Sequence, residues 1–88
     1  MKVILFYDVD KNRVLKYYKL VKQYLYWKQR SVFYGELTKS QIYELKLRLQ
    51  KLIKDNDQVI IFILPDNCKI EKEVIGKEDR SEELFINI

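Results

Sequence analysis

The chain contains no histidine, so any acid–base or metal chemistry must be built on carboxylates. Asp8 is the carboxylate best placed for it, ending the apolar run Val3-Ile4-Leu5-Phe6-Tyr7 and followed by Val9 and Asp10. A carboxylate at the end of a buried strand is held rigidly where the sheet meets solvent, which is where small α/β proteins place their sites. Three roles are open to Asp8: metal ligand, acceptor for backbone N–H groups at the start of the next helix, or a polar residue that simply ends a strand. One carboxylate is a poor metal site alone. No HExxH pattern, EF-hand spacing or Cys cluster stands ready to complete it. The lone Cys68 has no partner for a disulfide or a zinc site, which fits a reducing, cytoplasmic setting.

Charge is distributed unevenly around this candidate. The net charge is +4, but residues 1–54 hold 13 Lys/Arg against 4 Asp/Glu, whereas residues 55–88 hold 4 against 9. The first half therefore attracts a polyanion by charge neutralisation and counterion release, without reading its sequence. The alternative is a solvated, lysine-rich helix face. All seven tyrosines lie between Tyr7 and Tyr43, a mixture suited either to base stacking beside phosphate contacts or to core and interface packing. A membrane role is not expected: the longest apolar run, Val59 to Leu64, is far too short to span a bilayer, and Met1-Lys2 leads straight into a strand with no signal peptide.

The elements that must position Asp8 follow from the apolar periodicity. Residues 2–8 read as a strand with both faces buried, and Asp10 is placed to cap the next segment. Val14, Tyr18, Val21 and Leu25 form a helical spine with Leu15, Tyr17, Leu20 and Tyr24 beside it, leaving Lys11, Arg13, Lys16, Lys19 and Lys22 outside. Tyr26 to Leu37 is rich in aromatic and β-branched residues and predicts a hairpin with its tight turn near Arg30-Ser31. Thr38-Lys39-Ser40-Gln41 is a capping box. It opens a helix whose stripe is Ile42, Leu45, Leu49, Leu52 and Ile53, with Glu44 and Arg48 as an i, i+4 pair. Asp55-Asn56-Asp57 stops that helix, and Val59–Leu64 is a strand apolar on both faces, closed by Pro65-Asp66-Asn67. A more exposed strand over 69–75 ends at Gly76, and Leu84-Phe85-Ile86 offers a last short one after a charged link.

At 88 residues this is one domain, residues 1–88, with 77–88 a C-terminal link and strand available for dimer or partner contact. The order is βαββαβ with an extra C-terminal strand: an α+β, ferredoxin-like arrangement with two helices on one face of an antiparallel sheet. Two helices cover one face only, yet two strands are apolar on both. An identical sheet is the simplest cover, giving a homodimer through the other face; the alternative is Leu84–Ile88 folding back over its own sheet. A two-fold axis would set two copies of Asp8 face to face. Mg²⁺ keeps most of its waters and uses one or two protein carboxylates, so such a pair suits Mg²⁺ or Mn²⁺ and phosphodiester hydrolysis.

Tyr7-Asp8-Val9 at the end of the first strand, Arg13 early in the helix and Gln29-Arg30-Ser31-Val32-Phe33-Tyr34-Gly35-Glu36-Leu37 in the hairpin resemble the CRISPR-associated protein 2 family over nearly the whole chain. The resemblance implies a ferredoxin-like homodimer. It implies Asp8 as the metal ligand and catalytic carboxylate facing its symmetry mate, and Arg13 and Arg30 as phosphate contacts, with Lys16 on the same basic helix. Tyr7, Ser31 and Phe33 would shape the site. It further implies nuclease activity on RNA or double-stranded DNA, and a role bridging copies of the CRISPR integrase while foreign DNA is captured as new spacers. The chain departs from the family's common pattern in having Arg13 without a paired arginine, Tyr26-Trp27 where a glycine often enters the hairpin, and Tyr34 where glutamate often follows the Ser-Val-Phe stretch.

Three functions are compatible with these residues. The first is a dimeric, metal-dependent endonuclease. The second, favoured as the biological role, is a DNA-clamping adaptor that works with the integrase. The third is a stand-alone toxin-type ribonuclease on the same fold.

Overall fold

The computed structural model describes residues 1–64 and 71–77. Its strands are β1 (Lys2–Asp8), β2 (Tyr26–Gln29), β3 (Val32–Glu36), β4 (Gln58–Leu64) and β5 (Glu71–Gly76); its helices are α1 (Val14–Val21) and α2 (Lys39–Leu52). They form one antiparallel sheet in the order β2-β3-β1-β4-β5. This is the α+β, ferredoxin-like plan expected from the sequence, with β5 added beyond β4. The turn at Pro65-Asp66-Asn67, Cys68 and the strand expected at Leu84–Ile86 lie outside the described residues.

Alternation along β1 decides what faces what. Val3, Leu5 and Tyr7 are buried, as are Val59, Ile61 and Ile63 of β4, while Lys2, Ile4, Phe6 and Asp8 point to the opposite side. The core fills the space between the first set and the helices, where Tyr17, Leu20, Val21, Ile42, Leu45 and Leu49 are buried with Leu25 and Phe33. Among the described residues β1 therefore packs against the helices on one face only. Its second face is apolar and not covered by the helices: Ile4, in register with Tyr34 on one side and Phe62 on the other, is 38% exposed, while Ile60 on the same face is 8% exposed.

α2 starts where the capping box places it. The Gln41 N–H donates to Thr38 Oγ1 at 3.1 Å and the Thr38 N–H donates to Gln41 Oε1 at 2.9 Å, a cap worth about 1 kcal/mol. α1 differs from expectation. A 3₁₀ turn over Lys11–Arg13 precedes it, and the buried stripe is Tyr17, Leu20 and Val21, with Val14 and Leu15 turned outward. Asp10 occupies the cap position but its carboxylate makes no capping bond; only its carbonyl accepts, from the Arg13 N–H at 2.8 Å. Glu44 and Arg48 meet through a third side chain: the Tyr24 hydroxyl donates to Glu44 Oε1 and accepts from Arg48 Nη1 at 3.0 Å. The loop into β4 holds a tight contact, since Gly76 has φ 102 and a Cβ there would lie 2.1 Å from the Asp57 carbonyl oxygen. Only glycine fits that approach.

Candidate nucleic-acid site at the Asp8 end of the sheet

Asp8 closes β1 opposite Gln58, the first residue of β4. Its carboxylate is exposed on the open side of the sheet and takes no hydrogen bond or ion pair among the described residues. The helix-capping role left open for it is therefore not the one it plays. On the other flank, the Tyr7 N–H donates to the Ser31 carbonyl at 3.3 Å, which draws the Arg30-Ser31 turn against the strand end that carries Asp8. Gln58 is in turn tied to β5, its Nε2 donating to the Lys77 carbonyl at 3.0 Å. Three chain segments thus frame one exposed carboxylate.

Of the residues expected at this site, Asp8, Arg30 and Ser31 meet at this end of the sheet. Arg30 is exposed, and Ser31 is half-buried in the same turn. Tyr7 and Phe33 are near in sequence but face the other way. Both are buried on the helix side, their ring centroids 5.8 Å apart, because they occupy the alternate positions of β1 and β3. They support the strand end from beneath and do not line the open face. Burial, reinforced by the neighbouring Tyr18, raises the Tyr7 phenol above its ordinary value, and its hydroxyl has no hydrogen-bond partner among the described residues. Lys16 is exposed on α1, in the helix layer and away from the sheet face that carries Asp8.

Arg13 departs most from expectation. Its Nε donates to Asp57 Oδ2 at 2.8 Å and its Nη2 to the Leu52 carbonyl at 2.7 Å. The Tyr17 hydroxyl donates to the same carboxylate oxygen at 2.6 Å, and the Lys54 N–H adds a third bond at 3.2 Å. Asp57 is 2% exposed. Burial alone would raise its carboxyl, but the bonds from Tyr17, Arg13 and the Lys54 N–H outweigh burial and hold it below the usual carboxylate range. Burial and the bond to Asp57 push the Tyr17 phenol up to about 12. Arg13 is thus a structural cation that fastens α1 to the α2–β4 loop. Its fork is spent inside the fold rather than offered to a phosphate.

Two residues escaped the sequence reading. Asp57 looks locally like one more polar residue in a helix-stopping turn, and nothing in its neighbours signals a partner 44 positions away. Gln58 was within reach, since pairing β1 antiparallel to β4 sets the first residue of one against the last of the other. Among the described residues no three His, Cys, Asp or Glu side chains cluster to hold a metal, and no helix is long and apolar enough to cross a membrane.

The fold is a ferredoxin-like sheet and helix pair with an added edge strand, and its candidate site is a single carboxylate framed by a hairpin turn. Comparison with known proteins narrows that class. Residues 1–72 match the family model described as CRISPR associated protein Cas2. A CRISPR-associated endoribonuclease Cas2 of Nanoarchaeum equitans is 38% identical over 97% of this chain and 93% of its own length. The protein of the same name from Methanosarcina acetivorans is 44% identical over 90% of this chain and 86% of its own. A solved structure described as a crystal structure of cas2 superposes with a TM-score of 0.72 at 45% identity, covering 92% of this chain and 91% of the other. The chain belongs to the CRISPR-associated Cas2 family.

Proposed function

We propose that this protein is a homodimeric, nucleic-acid-binding adaptor of CRISPR adaptation that works with the CRISPR integrase in the cytoplasm and carries a metal-dependent endonuclease activity on RNA or double-stranded DNA. The observation that carries the reading is the exposed Asp8 carboxylate, set at a strand end on an apolar sheet face that the chain's own helices leave open. A second copy packed on that face covers Ile4 and Phe6 and brings the two Asp8 residues to a shared axis. The endoribonuclease names of the relatives favour RNA cleavage within the same site. They are CRISPR-associated throughout, and the stand-alone toxin reading gains no support from them.

The residues fit Mg²⁺ or Mn²⁺ in one way. Asp8 offers hard oxygen donors to a cation that needs only one or two protein carboxylates, and two chains would supply two. Such an ion, when bound, supplies charge stabilisation and an activated water. The chain's own contribution is positional. Strand pairing to Gln58 and the Tyr7–Ser31 bond hold the backbone at Asp8, while Arg30 presents an exposed guanidinium suited to a phosphate at the adjoining turn.

The test is cleavage of RNA and duplex DNA by purified protein with Mg²⁺ or Mn²⁺. Asp8→Asn and EDTA should each abolish it, with the variant's melting temperature unchanged. An Asp8→Asn protein that cuts as well as wild type removes Asp8 from the chemistry.

A further inference from the structure

The Arg30-Ser31 turn is built from residues that do not favour it. Two-residue hairpin turns require positive φ and draw mainly on glycine and asparagine, yet Arg30 has φ 45, the one positive value at a non-glycine residue described. Both carbonyls of the turn are tied down. The Ser31 carbonyl accepts from the Tyr7 N–H, and the Arg30 carbonyl accepts from the indole Nε1–H of Trp27 at 2.8 Å.

The indole is itself held in place. Its ring stands edge-on to Tyr18 with centroids 6.0 Å apart, and Tyr18 packs on the buried Phe33 at 5.8 Å. The register of β2 on β3 shifts between Trp27 and Gln29, so a bulge falls between the indole and the turn it reaches. A chain of contacts therefore runs from the core through Tyr18 and Trp27 to the Arg30 carbonyl. From there it crosses the turn to the backbone of Tyr7, the residue before Asp8.

We infer that Trp27 is a positioning residue: its indole N–H locks the turn in the left-handed conformation that presents the Arg30 side chain to a nucleic-acid phosphate beside Asp8. The inference rests on the proposed role of Arg30 as a phosphate contact. It gives a purpose to an aromatic residue at the hairpin entry, where a glycine would leave the turn free.

Trp27→Phe keeps a ring against Tyr18 and removes the N–H donor. The experiment is a double-mutant cycle on binding of a fluorescein-labelled RNA hairpin and a labelled DNA duplex at low salt, with circular dichroism melts as the folding control. Arg30→Ala should weaken binding about five- to ten-fold, the size of one charged phosphate contact. Trp27→Phe should weaken it about three-fold at unchanged helix content, and Arg30→Ala in the Trp27→Phe background should cost only about a further two- to three-fold, so that the double variant binds like Arg30→Ala alone. Because Trp27 is the single tryptophan, its indole N–H gives one NMR signal, which should exchange slowly with water. Additive losses, or a rapidly exchanging indole N–H, overturn the positioning role while leaving Arg30 as a contact. An Arg30→Ala protein that binds like wild type refutes the underlying assignment of Arg30, and the positioning role falls with it.

Discussion

Asp57→Ala should unfold this protein's helix layer rather than weaken its grip on nucleic acid. The substitution strips the acceptor from the Tyr17 hydroxyl, which sits in a fully buried side chain, and from the Lys54 N–H that closes the α2–β4 loop. A buried hydroxyl left without a partner costs about 1–3 kcal/mol and the lost loop bond about 1 kcal/mol. The total of about 2–4 kcal/mol, before any contribution from Arg13, is a large part of the stability of a domain this size. At about 4–8 °C per kcal/mol, the melting temperature should fall by about 10–25 °C, measured by circular dichroism at one fixed protein concentration so that self-association does not intrude. The pH dependence has a definite sign. The folded carboxyl of Asp57 is held below its unfolded value, so its stabilisation is fully present above the ordinary carboxylate value near 4 and is lost as pH falls through the lower, folded value. The gap between wild type and Asp57→Ala should therefore be full at pH 7 and narrow below about pH 4. A melting temperature within about 3 °C of wild type at pH 7, together with a nucleic-acid affinity reduced as in Arg30→Ala, would refute the structural assignment of Arg13 and return it to phosphate binding.

Gly76→Ala should also destabilise the fold, by about 2–4 kcal/mol in denaturant melts, because the new Cβ meets the Asp57 carbonyl and φ 102 is unfavourable for alanine; a stability equal to wild type would mean that this loop contact is absent in solution. Ile4→Glu sets a charge between Tyr34 and Phe62 at the centre of the open face, and light scattering at micromolar concentration should return the monomer mass where wild type returns twice it. A variant that still dimerises would move the interface elsewhere.

The elements with self-contained signals were legible in the sequence. The capping box fixes the start of α2, the unbroken apolar run gives β4, and the hairpin turn falls at Arg30-Ser31 even without glycine. What was not legible depends on partners distant in the chain. Arg13 shares the spacing of the outer lysines of α1, and only the fold reveals that Asp57 waits for it. A 3₁₀ turn also precedes α1, and Val14 and Leu15 lie outside its core stripe, which periodicity counted from Val14 does not detect. At the candidate site, the sequence places Asp8 at the end of the first strand, and β1 does end there. The family resemblance places Tyr7 and Phe33 at the site, whereas the two-residue repeat of a strand sends their side chains to the helix side.

The place of β1 at the centre of the sheet bears on how the chain reaches its native state. β1 precedes both of its neighbours, and they arrive from residues 32–36 and 58–64. Its ladders therefore close loops of very different length, and the later one cannot form until β4 has left the ribosome. Contacts of such long sequence separation slow folding. Until β4 arrives, the Val3–Tyr7 segment presents an uncovered apolar strand with an unpaired edge, the kind of intermediate that aggregates or recruits chaperones. Production with holdase chaperones should therefore raise the yield of folded protein, because they shield β1 during the interval when its last partner is still being made.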